Sequence, residues 1–217
     1  MEHAYGLNIP QTLAEACQPQ QMALLVYDMQ VGILRQLPHG AAITAKVAEV
    51  VQLARAAGVR TFFMRHMSLP KEVAGVFQLR TAMAWQRVTS VVDVQPWFLR
   101  DSPGFALAPE LAPLPSEAIF DKITMSAFEG TPLNIALRDC GITTVVVVGV
   151  ATEIGIEPTV RQAADLGYLP VVVTDACGAG DQDAGERALA SLRFMGDAWF
   201  TTVAELRATL TAPPTTS

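Results

Sequence analysis

The chain has 217 residues, 51% of them hydrophobic and 17% charged, with a net charge of −6. That length and apolar content suit one domain over residues 1–217 and leave apolar surface for a homo-oligomer, a dimer or tetramer. Negative charge with no run of Lys or Arg argues against nucleic acid as a partner.

Residues 1–20, with Pro10 and Pro19 around a short helical piece, read as an arm lying on the domain or on a neighbouring subunit. They lack the basic-then-apolar order of a signal peptide. Met22–Tyr27 is a continuous apolar run and predicts a buried strand that delivers Asp28, Met29 and Gln30 at its carboxyl edge. Ile43, Val47, Val50, Val51 and Ala54 follow the helical period, so Ala41–Ala57 reads as a helix closed by Gly58. Val59–Met64 is a second strand. A right-handed crossover brings Arg65 and His66 to the edge that holds Asp28.

Residues 67–118 are the least regular. Lys71–Val88 reads as a helix, and Pro96, Pro103, Pro109, Pro113 and Pro115 mark a long excursion over the sheet. Ile119-Phe120 is a short strand handing over to Asp121 and Lys122, and Thr131-Pro132 starts a helix that ends before Gly141. Four valines, Val145–Val148, make a strand buried on both faces, and Gly149 turns it into a helix over Pro158–Leu166. Leu169–Val173 and Ala198–Thr201 complete six strands. Helices over Asp181–Met195 and Val203–Thr209 alternate with them, and 212–217 reads as a flexible tail. Strands alternating with helices predict an α/β fold, a three-layer αβα sandwich on a six-stranded, mainly parallel, Rossmann-like sheet. Small molecules bind such sheets at the carboxyl edge.

The chemistry-bearing residues are sparse. Cys17, Cys140 and Cys177 are odd in number and widely spaced, which fits a reducing cytoplasm better than a disulfide framework or a CxxC site. No apolar run approaches the roughly 18 residues that span a bilayer. Neither GVATEIG nor CGAGDQDAG has GxGxxG spacing and no Walker lysine occurs, so no nucleotide cofactor is indicated. His66 with only His3 and His39 elsewhere argues against a metal site.

Three segments taken together, LLVYDMQ (24–30), DKITMSAFEGTPL (121–133) and the stretch from Val145 to Ala176, resemble the isochorismatase-like hydrolases, also called the cysteine hydrolase superfamily. The resemblance implies hydrolysis of C–N bonds in small amides or, in the isochorismatases, of a vinyl ether, through an Asp-Lys-Cys triad. It assigns the Asp to Asp28 and the Lys to Lys122, and puts Gly155 where the nucleophilic cysteine would stand. Glycine has no nucleophile to offer, although its N–H, with that of Ala151, is a candidate anion hole at the helix start. The thiol-free branch implies acid catalysis, in which the Asp protonates the vinyl carbon and water adds. A Lys122 ammonium would lower the Asp28 pKa while burial would raise it. The resemblance also implies a cis peptide at Val150–Ala151.

Gln30, Arg65, Trp97, Phe128, Ala151 and Glu153 are the candidate substrate contacts, with Trp85 and Phe98 as further aromatics that serve equally well as core. Asp121 points to the other face and reads as structural. Two further readings stay open: an inactive small-molecule-binding homologue, and an amide hydrolase with another nucleophile such as Cys177. Residues 67–118 lack the FWGPG pattern of true isochorismatases.

Overall fold

The computed structural model describes residues 1–212, so the expected tail lies outside the described residues apart from Ala212. An antiparallel hairpin of β1 (Glu2–Ala4) and β2 (Leu7–Ile9) turns at Tyr5-Gly6, both with positive φ. This hairpin lies within residues 1–20, the stretch expected from the sequence to be an arm. It buries none of its residues, so no hydrophobic alternation announced it. The helical piece is α1 (Leu13–Ala16), capped by Thr12, whose side chain accepts from the Glu15 N–H.

The central strand β3 (Met22–Tyr27) is buried at every position. After it come a short α2 (Val31–Leu34), the long α3 (Gly40–Ala56), β4 (Arg60–His66), α4 (Val76–Gln86) and β5 (Ala118–Lys122). The second half contributes α5 (Leu133–Asp139), β6 (Thr144–Val150), α6 (Glu157–Asp165), β7 (Leu169–Gly178), α7 (Gln182–Met195), β8 (Trp199–Thr201) and α8 (Val203–Thr211). The six strands lie in the order β5-β4-β3-β6-β7-β8 and every pair is parallel.

Helices cover both faces because the strands are apolar on both. Val146 and Val148 of β6 pack with Val47, Val50 and Val51 of α3 on one side. Val145 and Val147 pack with Leu133 and Leu137 of α5 and Val160 of α6 on the other. Successive side chains of a strand point to opposite faces, so a run of valines feeds two cores at once, with each buried side chain contributing about 1.5–3 kcal/mol.

The winding reverses between β3 and β6, which lie side by side in the sheet. Their following loops therefore diverge to opposite sides and leave a crevice at the carboxyl edge. Asp28 follows one of these strands and Ala151 the other.

The helix expected over Lys71–Val88 is broken in two. A 3₁₀ turn at Lys71–Val73 precedes α4, and the extended backbone at Gly75, ψ 172°, separates them. Strands β4, β5 and β7 run further than their apolar cores suggested, because the ladder continues through polar residues: Arg65 is paired with Asp121 and His66 with Lys122. Arg55 of α3 makes two hydrogen bonds to Glu117, each 2.8 Å, and donates to the carbonyls of Leu111 and Ala112, which anchors the excursion to the helical layer.

Candidate active site

Asp28 follows β3 with a left-handed backbone, φ 48°, which swings its carboxyl into the crevice. Its N–H donates to the Met64 carbonyl of β4 at 3.2 Å. Lys122 reaches across from β5, and its Nζ donates to Asp28 Oδ2 at 2.7 Å and to the Thr124 carbonyl at 3.2 Å. The Lys122 side chain has no exposure to solvent, and its Nζ lies 4.2 Å from the centre of the Tyr27 ring. Asp28 Oδ1 is buried without a hydrogen-bond partner.

Both members of the pair are displaced from their ordinary pKa values. Burial raises Asp28 above the usual carboxylate value by more than the Lys122 ammonium lowers it. Burial likewise lowers Lys122, against the opposing pull of Asp28. Desolvation thus prevails over mutual attraction, and the Asp28 carboxyl holds its proton more readily than an exposed aspartate.

The loop after β5 is fixed by its own hydroxyls. Thr124 donates to the Ser126 and Glu129 carbonyls, Thr131 to the Ala127 carbonyl, and the Ala127 N–H to Thr159 Oγ1 on α6. This binds together the DKITMSAFEGT segment and holds the Thr124 carbonyl against Lys122.

The turn after β6 contains a cis peptide at Val150–Ala151, as the resemblance implied. Gly149, with φ 123°, is required there, since a β-carbon would collide with the Tyr27 carbonyl oxygen. Residues Thr152–Ile156 form one π-helical turn, in which the N–H groups of Ile154, Gly155 and Ile156 all converge on the Ala151 carbonyl at 3.0–3.3 Å. The Gly155 N–H is therefore already engaged rather than open to an anion. A β-carbon on Gly155 would overlap the hydroxyl and ring of Tyr27.

Asp28 opens onto a cavity of about 260 Å³. Tyr27, Val150, Ala151 and Ile154 form its sheet side, His66, Trp85, Trp97 and Phe98 one wall, and Ile33, Gln36, Leu37, Met125 and Gly180 the remainder. His66 packs edge-on to Trp85 and Phe98, with ring centroids 6.3 and 6.0 Å apart. Burial, reinforced by the Lys122 charge, lowers the His66 pKa to about 3, so its ring is neutral.

Of the candidate contacts, Trp97 and Ala151 line this cavity with Asp28. Lys122 stands behind Asp28, and Gly155 behind Tyr27. Gln30 is fully buried and spends its amide on structure, accepting from the His66 N–H at 2.6 Å and donating to the His66 and Phe105 carbonyls at 3.0 Å. Arg65 faces away from Lys122, bound to Asp121 at 2.8 Å and stacked over the Phe105 ring. Phe128 is core, stacked on Tyr168 with centroids 5.8 Å apart. Glu153 accepts from the Gly180 and Asp181 N–H groups ahead of α7, at 2.8 and 3.1 Å. Trp85 and Phe98 do reach the cavity wall.

The sequence reading missed Tyr27, whose signal was a lone aromatic at the end of an aliphatic strand. Cys177 lies on β7 beside a separate cavity of about 150 Å³, with its Sγ donating to the Val147 carbonyl at 3.6 Å. Burial pushes its thiol up to about 12. Among the described residues, no cluster of three or more His, Cys, Asp and Glu side chains is placed to hold a metal ion.

Residues 22–205 match the isochorismatase domain family. The ureidoacrylate amidohydrolase RutB of Methylobacterium radiotolerans is 30% identical over 179 residues, 79% of this chain and 68% of that protein. An isochorismatase family protein of Burkholderia thailandensis has a structure with TM-score 0.72 and 32% identity, covering 89% of this chain and 97% of that one. A cysteine hydrolase of Pseudomonas syringae pv. phaseolicola shares the fold, with TM-score 0.77 at 24% identity over 90% of this chain and 94% of its own.

Proposed function

Because the chain belongs to the isochorismatase family, we propose that this hydrolase cleaves a small molecule by proton transfer from Asp28 to the substrate and addition of water, with no thiol intermediate. The observation that carries this reading is Asp28 itself: Oδ2 is held by Lys122 while the buried Oδ1 has no partner and the residue lines the cavity. In this reading Gly155 stands in the nucleophile's position, and Tyr27 fills the space a thiol would need.

Cleavage of a vinyl ether is the reaction this arrangement supports best. Asp28 gives its proton to the terminal vinyl carbon, and water adds to the oxocarbenium carbon. The proton that water sheds returns to Asp28. The hemiketal then separates into a carbonyl compound and an alcohol. Burial, which raises the Asp28 pKa, keeps the acid form available, and Lys122 stabilises the carboxylate left after transfer.

The RutB likeness favours a second reading, amide hydrolysis, in which Asp28 as a carboxylate takes a proton from attacking water. The exposed side chains of Val76, Phe77 and Phe194 support assembly of copies into a homo-oligomer, and three free cysteines support a cytoplasmic setting. Among the described residues no helix is long and apolar enough to cross a membrane.

The test is hydrolysis of isochorismate (pyruvate release), of benzyl vinyl ether (benzyl alcohol release) and of ureidoacrylate (ammonia release), each with Asp28→Asn alongside. Release from either ether that is lost in Asp28→Asn supports the first reading. Release only from ureidoacrylate moves the assignment to the second, and turnover unchanged in Asp28→Asn overturns both.

A further inference from the structure

We propose that the cavity beside Asp28 takes an uncharged, largely apolar substrate and discriminates against carboxylates, a specificity that rests on the hydrolytic reading above. Among the described residues lining the cavity, none is Lys or Arg. Two cations close to Asp28 are already committed. Lys122 is sealed from solvent and donates to Asp28 and to the Thr124 carbonyl. Arg65 is tied to Asp121 on the opposite face of the sheet edge and covered by Phe105. His66 reaches the cavity as a ring packed between aromatics, with burial and Lys122 both opposing its protonation.

The one ionisable carboxyl facing the cavity is Asp28, so an anion entering there meets no counter-charge and, when Asp28 is ionised, a like charge. Removing a carboxylate from water without a partner is among the costliest burials a protein makes. An apolar group meets the opposite situation. The Trp85, Trp97 and Phe98 rings offer faces and edges on one side, and Ile33, Leu37 and Ile154 offer aliphatic surface on the other. A smaller cavity of about 60 Å³ shares the same three aromatics and adds Phe77, Ala82 and Val94; the one cation lining it, Lys71, donates its Nζ to the Val92 carbonyl at 3.0 Å. The combined shape suits a flat or elongated apolar group whose reactive end reaches Asp28.

A matched pair of probes isolates the charge: benzyl vinyl ether and its ring-carboxylated twin, 4-(vinyloxymethyl)benzoate. Affinities are measured by calorimetry on the full chain at pH 7.5 in the turnover-impaired Asp28→Asn variant, and by initial-rate competition in the parent. The expected result is at least 10-fold tighter binding of the neutral probe, weakened by Trp85→Ala. Ile33→Arg, which adds a cation at the rim, is expected to restore affinity for the carboxylated twin. Equal or tighter binding of the carboxylate by the parent cavity, or no binding of the neutral probe, overturns the proposal. Binding with the expected preference but without hydrolysis overturns only the catalytic reading, so the two failures are distinguishable.

Discussion

The Tyr27 phenol and Gly155 share one volume: the tyrosine hydroxyl and ring lie where a β-carbon on residue 155 would have to be. The hydroxyl donates to the Met125 carbonyl and the ring faces the Lys122 ammonium, so Tyr27 has little freedom to withdraw. The absence of a side chain at 155 and the presence of a large one at 27 form a single feature.

Restoring a cysteine by Gly155→Cys alone is therefore expected to destabilise the protein by about 1–3 kcal/mol or more, the range for overpacked cores. Combined with Tyr27→Ala, the same cysteine should cost much less than it does alone, giving a coupling term in a double-mutant cycle. Urea denaturation of the four proteins measures it. A Gly155→Cys midpoint equal to that of the parent contradicts the packing described.

The Asp28 pKa predicts the form of the pH–rate profile. If the acid form is the active one, kcat/KM falls as pH rises through a folded-state value above the ordinary 3.8. Lys122→Met removes the cation that lowers that value, so the falling limb should move to higher pH even as the rate drops. A limb that stays in place, or moves down, separates Asp28 from the titration.

The stability of Lys122→Met should depend on pH in a defined direction. Where Asp28 is ionised, the variant leaves a buried carboxylate unpaired, a loss of about 3–5 kcal/mol. As pH falls Asp28 takes up a proton, the unpaired charge disappears and the loss shrinks. Denaturation at pH 7 and pH 4 compares the two, and an equal loss at both counts against burial as the dominant influence on Asp28.

His66 works in the opposite sense. Its folded pKa of about 3 lies below the ordinary 6.5, so its contribution to stability is present above 6.5 and is lost as pH falls toward 3. Each unit of pH within that window removes about 1.4 kcal/mol. His66→Phe, which keeps the ring contacts with Trp85 and Phe98, should flatten this loss relative to the parent. A parent and variant that lose stability in parallel below pH 6.5 rule out His66 as its source.

Cys177→Ala should leave turnover unchanged within about twofold, since the thiol is held protonated at about 12 and lies beside a different cavity. Inactivation of the parent by iodoacetamide, relieved in Cys177→Ala, would instead favour an enzyme that uses this thiol.

The sequence by itself determined the layered sheet, its six strands and the arrival of Asp28 and Lys122 at the carboxyl edge. Apolar runs such as MALLVY and VVVV carry that information locally, because strand burial on both faces leaves no alternation to misread, and the polar residue that ends a run must emerge at the edge. The break at Gly75 and the exposed hairpin at Tyr5-Gly6 leave no hydrophobic pattern in the sequence because neither buries apolar side chains.

Only the tertiary structure decided what those residues meet. Arg65 and His66 are neighbours in sequence, yet one is bound to Asp121 and the other lines the cavity, a consequence of strand alternation and the register of β4 against β5. Whether burial or Lys122 governs Asp28 is a contest between desolvation and a charge brought from a distant strand, and it depends on how completely the surrounding loops exclude water. The collision of Tyr27 with any side chain at 155 belongs to the same category: two positions far apart in the chain compete for one volume, and packing of that kind leaves no mark on the local pattern of either segment.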